Sequence, residues 1–162
     1  MFKKIAFVCL GNICRSPTAE AITRRRLAER GVALEVESFG TGSWHVGGDA
    51  DPQALRALNR AGYSHRGHNA RQITDRVVVD GVLYVALDYS NYRDLSRFSS
   101  LLEHPEQLTM LRYFDPELSQ LPKEPSNKFD VADPYYKDDA FYDETLRVIE
   151  RCIDGLIDFA LS

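Results

Sequence analysis

The apolar run Ile5-Ala6-Phe7-Val8 passes without a linker into Cys9-Leu10-Gly11-Asn12-Ile13-Cys14-Arg15-Ser16-Pro17, and no other stretch constrains the fold as strongly. Four consecutive apolar residues read as a buried strand. Ser16 reads as a helix N-cap and Pro17 as the first helical residue, since proline lacks the N–H that would be unpaired there. The junction therefore predicts a strand, a tight loop and a helix, with unpaired N–H groups at the helix start directed back into the loop. Such a terminus carries partial positive charge and binds phosphate-like anions. Gly11 and Asn12 tolerate the backbone angles that turn successive N–H groups inward into an anion nest, which Leu10, Ile13 and Cys14 complete.

Cys9 falls at the base of this nest. A free thiol titrates at about 8.5, and a helix N-terminus or a nearby arginine lowers that value. The field that holds a phosphate dianion thus also favours a thiolate. Arg15 offers a planar fork for two phosphoryl oxygens, which lysine does not match. Ser16 is placed to donate its hydroxyl to the sulfur. A cysteine six positions before an arginine is by itself a weak signal; the preceding strand, Gly11, Asn12 and the Ser16-Pro17 helix start make it specific.

A phosphate monoester also needs a proton for its leaving group, and a carboxylic acid across the site can supply one. Asp133, in Asp133-Pro134-Tyr135-Tyr136, is the candidate. Pro134 biases Asp133 to an extended conformation and stiffens the loop, and Tyr135 and Tyr136 offer flat walls for an aryl group. Taken alone this is an ordinary Asp-Pro turn, like Asp51-Pro52 and Asp115-Pro116.

Apolar runs alternate with helical patterns along the chain. Ile5–Val8 reads as a strand, Ser16–Arg30 as a helix closed by Gly31, and Leu34–Ser38 as an edge strand. Asp51 caps and Pro52 opens a helix that ends near Ala61, with Gly62 as its stop. Val82–Leu87 is a buried strand ending at Asp88, Ser90–Phe98 a helix, Leu108–Tyr113 the last strand and Phe141–Leu161 the last helix. Glu117–Phe129 reads as a polar loop leading into Asp133. The alternation predicts an α/β fold with a parallel sheet covered on both faces. Sites in such sheets lie at the carboxyl ends of strands, where Cys9 and Asp88 fall.

The 162 residues suffice for one domain, 1–162, with no linker or repeat. A net charge of −4 argues against a nucleic-acid surface. Arg24-Arg25-Arg26, Arg56 and Arg60 read as solvent-facing helix positions. No stretch has the length and apolarity of a signal peptide or a membrane span, so a cytoplasmic location is expected, with signal-independent release left open. Three cysteines read as reduced thiols. Cys152 fits the apolar stripe Ile149, Cys152, Ile153, Leu156 and Ala160 and reads as core; Cys14 is either packing or a redox partner of Cys9. Sequence spacing shows no His/Asp/Glu group suited to a metal.

These motifs together resemble the low-molecular-weight protein tyrosine phosphatases, from about Lys4 to Phe159. The likeness runs from the Cys9–Pro17 loop through Trp44 in Gly42-Ser43-Trp44-His45-Val46-Gly47. It continues in His68-Asn69-Ala70-Arg71-Gln72, Asp88-Tyr89-Ser90-Asn91 and Asp133-Pro134-Tyr135-Tyr136. The resemblance implies a three-layer, flavodoxin-like α/β/α domain with a four-stranded sheet in the order 2-1-3-4. It implies hydrolysis of protein phosphotyrosine without metal or cofactor. Cys9 would form a cysteinyl-phosphate, Arg15 bind the phosphoryl group, and Asp133 act as general acid and then base. Asn12 would be held in a strained conformation by Ser16, Ser38 and His68. Asp88 and Asn91 would line the opposite side, and Trp44, Tyr135 and Tyr136 the substrate rim. Phosphotyrosine proteins, and a cognate tyrosine kinase among them, are the implied partners.

Rival readings are weaker. An arsenate reductase on the same scaffold would carry further redox cysteines after the third strand, and Ala86 to Arg97 contains none. Phosphoarginine-specific relatives carry threonine where Ile13 stands. A non-catalytic phosphotyrosine-binding module would have lost Cys9, Arg15 or Asp133. Phe39, after Ser38, and Tyr89 and Tyr92 at the Asp88 rim depart from the family pattern and are expected to bear on substrate access.

Overall fold

The computed structural model describes all residues, Met1–Ser162. Strand β1 (Lys4–Cys9) lies inside the sheet because every residue from Ile5 to Cys9 is buried. It pairs in parallel with β2 (Glu35–Gly40) and with β3 (Val82–Ala86), and β3 pairs in parallel with β4 (Leu108–Met110). The order β2-β1-β3-β4 is the one expected.

The period-two geometry of a strand divides the apolar run between two layers. Ile5, Phe7 and Cys9, with Leu83 and Val85, face a core built with helices α1 (Arg15–Arg30), α2 (Pro52–Arg60) and α5 (Asp139–Leu161). Ala6 and Val8, with Val82, Tyr84 and Ala86, face the opposite core, where Leu95 of α3 (Tyr89–Ser96) and Leu101 of α4 (Ser99–Glu103) pack. Cys152 is fully buried on α5, among Ile149, Ile153, Leu156 and Ala160, as its stripe predicts.

Local chemistry sets most boundaries. Gly31 closes α1 at φ 65°, a left-handed position that glycine occupies without a Cβ penalty. Asp51 caps α2 by accepting from the Gln53 N–H at 3.0 Å, and Asp88 caps α3 by accepting from the Asn91 N–H at 2.8 Å.

Three expectations change. Ser16 is not the cap of α1; the helix begins at Arg15, with Cys14 at the cap position and no side-chain cap bond, because the Ser16 hydroxyl is turned into the loop. β2 runs on to Gly40, since Phe39 and Gly40 still pair with Val8 and Cys9. β4 stops at Met110, where Leu111–Phe114 turn as a 3-10 helix that buries Leu111 in the α5-side core.

A buried carboxylate anchors that turn. Asp115 is 1% exposed and accepts from Arg112 Nε at 2.9 Å and from Arg151 Nε and Nη2 at 2.8 and 3.1 Å. Arg112 also donates through Nη1 to the Asp130 carbonyl at 3.0 Å, so the cluster joins α5 to the segment that carries Asp133. Burial pushes the Asp115 carboxyl up, but the Arg151, Glu117 N–H and Arg112 interactions outweigh it and hold it below the usual carboxylate range. The stability it contributes is therefore complete above its unfolded value of about 3.9 and is lost as pH falls through its lower folded value. Asp115→Asn should cost roughly 2–4 kcal/mol in urea unfolding at pH 7, somewhat below the range for breaking a fully buried ion pair because both arginines keep some solvent contact. The deficit relative to wild type should shrink as the pH is lowered below about 4; a deficit that stays constant would show that the charge is not the source.

Candidate active site

Register brings Cys9 to the carboxyl end of β1, opposite Gly40 of β2, with the end of β3 beside it. The main-chain N–H groups of Leu10, Gly11, Ile13 and Cys14 donate to no protein acceptor, while Asn12 N–H points at Cys9 Sγ from 3.3 Å. The first turn of α1 adds its positive end to the same loop. Gly40 makes room for the loop: a Cβ there would lie 2.7 Å from the Leu10 carbonyl oxygen, against backbone that has nowhere to move.

Asn12 is buried and holds φ 56°, a left-handed angle that asparagine tolerates better than most residues. Its Nδ2 donates to Ser16 Oγ and Ser38 Oγ, both at 2.9 Å, and its Oδ1 accepts from the Arg71 N–H at 2.9 Å. Its carbonyl oxygen lies 2.6 Å from His68 Nε2. Ser16 Oγ, accepting from Asn12, stands 3.0 Å from Cys9 Sγ and 3.4 Å from the Phe39 carbonyl oxygen, so its hydrogen has the sulfur as the nearer of two acceptors.

Arg15 is 3% exposed. Its Nη1 donates to Asp88 Oδ2 at 2.7 Å and to the Val131 carbonyl at 2.9 Å, which leaves the Nε–Nη2 edge of the fork without a protein hydrogen bond. Burial pulls the guanidinium pKa down, but Cys9, Asp88 and Asp133 raise it by more. Asp133 Oδ2 lies 3.6 Å from Arg15 Nη2, and Oδ1 accepts from the Tyr135 N–H at 3.1 Å. The Asp133 side chain is 46% exposed. Asn91 is buried, with its Oδ1 unpaired, and its N–H donates to the Asp88 carboxylate.

Cys9, Arg15, Ile13, Trp44, Asp133 and Tyr135 line one cleft of about 250 Å³. Tyr135 meets His45 edge-on at 6.0 Å, and His45 closes over Gly11. Trp44 is 74% exposed at the rim. Tyr136 differs from expectation: at φ 68° and 88% exposed, it stacks against Tyr135, with ring centroids 4.2 Å apart, and does not line the cleft. Phe39 also differs. It is buried in the α3-side core beneath the Arg71 guanidinium, away from the cleft.

Cys9, Cys14 and Cys152 are free thiols. Cys14 donates to Asp51 Oδ2 at 3.2 Å, beside the Tyr142 hydroxyl. Burial, then Asp51, pushes its thiol well above the usual range and keeps it protonated. Sequence spacing missed one group altogether: Glu20 of α1 meets His65 and His68 in the fold. His65 and Glu20 are far apart in sequence, and only the fold joins them. Arg71 and His45 stand within the motifs but carry no role that sequence could assign, because one contacts Asn12 through its main chain and the other packs on Gly11.

A parallel α/β sheet that carries a cysteine at the end of its central strand, in a nest of N–H groups closed by a buried arginine, defines a class of phosphate-handling proteins. Residues 4–161 match the profile of the low molecular weight phosphotyrosine protein phosphatases, and the chain belongs to that family. It is 40% identical over 158 residues to the low molecular weight protein-tyrosine phosphatase A of Mycobacterium tuberculosis, covering 96% of this chain and 90% of that one. Identity to the low molecular weight protein-tyrosine-phosphatase of Streptomyces coelicolor is 36%, covering 97% and 93%. The crystal structure of a low molecular weight phosphotyrosine phosphatase from Vibrio cholerae superposes with a TM-score of 0.81 at 28% identity, covering 96% and 95%.

Asn12→Ala should destabilise the protein by at least about 2 kcal/mol, from left-handed strain and stranded hydrogen-bond partners. Asn12→Gly, which relieves the strain but not the lost bonds, should fall between it and wild type in urea unfolding. Equal losses would mean that the backbone angle carries no cost.

Proposed function

We propose that this chain, as one domain over residues 1–162, hydrolyses phosphotyrosine in proteins through a cysteinyl-phosphate on Cys9. The convergence of Cys9 Sγ, the unpaired edge of Arg15 and the Asp133 carboxyl on one cleft carries this reading.

The nest N–H groups and the Nε–Nη2 edge of Arg15 take the phosphoryl oxygens and stabilise the charge that builds up as phosphorus is transferred. Cys9 Sγ forms the S–P bond while the P–O bond to the phenol breaks, and Asp133 gives its proton to the departing phenolic oxygen. A water then attacks phosphorus, Asp133 accepts its proton, and the S–P bond breaks to release orthophosphate. The Ser16 hydroxyl, 3.0 Å from the sulfur, stabilises it as it leaves. Asp88 acts at one remove, fixing the guanidinium plane from the Nη1 side. Asn12, held by Ser16, Ser38 and His68, keeps the N–H groups aimed inward.

Ile13, Trp44 and Tyr135 favour an aryl leaving group. Tyr136 supports Tyr135 from outside. Cys14 shares the loop, and an oxidised Cys9 sulfenic acid would condense with its thiol, releasing water and forming a reversible disulfide. No helix is long and apolar enough to cross a membrane; a cytoplasmic setting, with phosphotyrosine proteins and a matching kinase as partners, accords with this reading.

The test is orthophosphate release from a phosphotyrosine peptide under reducing, metal-free conditions. Wild type should turn over, Cys9→Ser should not, and Asp133→Asn should lose roughly 10²- to 10⁴-fold in kcat with little change in peptide affinity. Peptide binding without turnover by wild type would overturn the hydrolase and leave a binding module.

A further inference from the structure

A second cleft of about 290 Å³ shares no residue with the catalytic one, and no apolar side chain lines it. Glu20, Ser38, His65 and His68 meet in it. We propose that Glu20, His65 and His68 bind a divalent transition-metal ion of the zinc type behind the phosphate nest. This goes beyond the phosphatase reading and does not depend on it.

The donor set is preorganised. One ligand atom from each of the three residues lies within 4.8 Å of the others, a spread that small side-chain rotations would close to zinc–nitrogen distances of about 2.0–2.1 Å. His68 Nε2 lies 2.6 Å from the Asn12 carbonyl oxygen. A carbonyl only accepts, so Nε2 carries the hydrogen and Nδ1 of the neutral ring keeps its lone pair. His65 Nε2 sits 3.1 Å from that Nδ1, so two imidazole nitrogens already converge. When Nε2 takes the ion, the His65 ring carries its hydrogen on Nδ1 instead.

Glu20 is 6% exposed, and its carboxylate is already supported by Ser38 Oγ at 2.6 Å and Arg24 Nη1 at 2.5 Å. A carboxylate has further lone pairs for a metal. These contacts supply the outer support that metal ligands need: a carbonyl behind His68, and a hydroxyl and a guanidinium behind Glu20. Two imidazoles and one carboxylate suit zinc or cobalt and not the all-oxygen preference of calcium or magnesium. Water completes the coordination. The ion would tie α1 to the loop whose His68 holds the Asn12 carbonyl.

Cys9 would compete for such ions, so the measurement uses metal-free Cys9→Ser protein in a non-chelating buffer. Cobalt titration should saturate at one equivalent, with visible bands of four-coordinate nitrogen and oxygen ligation and no sulfur-to-cobalt charge transfer. Zinc should displace the cobalt and shift the imidazole NMR signals of His65 and His68 while sparing His45 and His104. His65→Gln should weaken binding at least about tenfold. Absence of binding, a sulfur band, shifts confined to His45 or His104, or unchanged affinity in His65→Gln would each overturn the site. The imidazole map of the Cys9→Ser protein decides the matter alone if His65→Gln does not fold.

Discussion

The catalytic end of the molecule depends on one residue held in a left-handed turn. At φ 56°, Asn12 reverses the backbone between the Cys9 end of β1 and the first turn of α1. The angle costs on the order of 1 kcal/mol. Against it stand bonds to Ser16, Ser38, the Arg71 N–H and His68, each worth about 0.5–1.5 kcal/mol net when buried. The hydrogen bonds win by a margin of a few kcal/mol at most. They are drawn from α1, β2 and the loop after α2, so the loop keeps its shape only where those three elements are in register. The aim of the nest N–H groups is thus a tertiary property, although the nest itself spans a handful of consecutive residues.

Charge in the site is divided between a fixed carboxylate and a loosely held one. Arg15 is 3% exposed and would be costly to bury alone. Asp88, 17% exposed, offsets that cost at 2.7 Å, and its other oxygen caps α3, so helix and guanidinium orient each other. Asp133 lies at 3.6 Å and is 46% exposed. Its weaker hold on Arg15 is compatible with the proposed role of Asp133 as general acid and then base.

The sequence made the central strand, the Gly31 stop, the Asp51-Pro52 helix start and the Cys9–Arg15 cradle legible, because each is written in residues close together in the chain. It misled where long-range packing overrode a local preference. Ser16 has the side chain of an N-cap, yet its hydroxyl is worth more between Asn12 and Cys9 than at the helix end. The apolar pattern of Leu108–Tyr113 continues a strand, but burial of Leu111 against α5 and the Asp115 ion pairs turn the chain after Met110. Tyr135 and Tyr136 look equivalent in sequence, yet only Tyr135 lines the cleft, while Tyr136 holds a positive φ and is exposed. Glu20 and His65 could not be found by spacing, since their meeting requires α1 and the loop after α2 to pack first.

The anchoring of the acid segment explains how an irregular stretch can serve a site built on rigid strands. Asp130 accepts from the Tyr89 N–H at 2.7 Å, and Arg112 holds its carbonyl. Val131 donates its N–H to Leu87 at 2.8 Å and receives Arg15 at its own carbonyl. The segment is thereby docked on the end of β3 up to Val131, two residues before Asp133. Beyond that point the Asp133 carboxylate has only the Tyr135 N–H and the longer contact to Arg15. Position is set by the sheet and adjustment is left to the last two residues. The division suits the proposed chemistry, in which Cys9 and its nest need fixed geometry while Asp133 follows a leaving group and then a water.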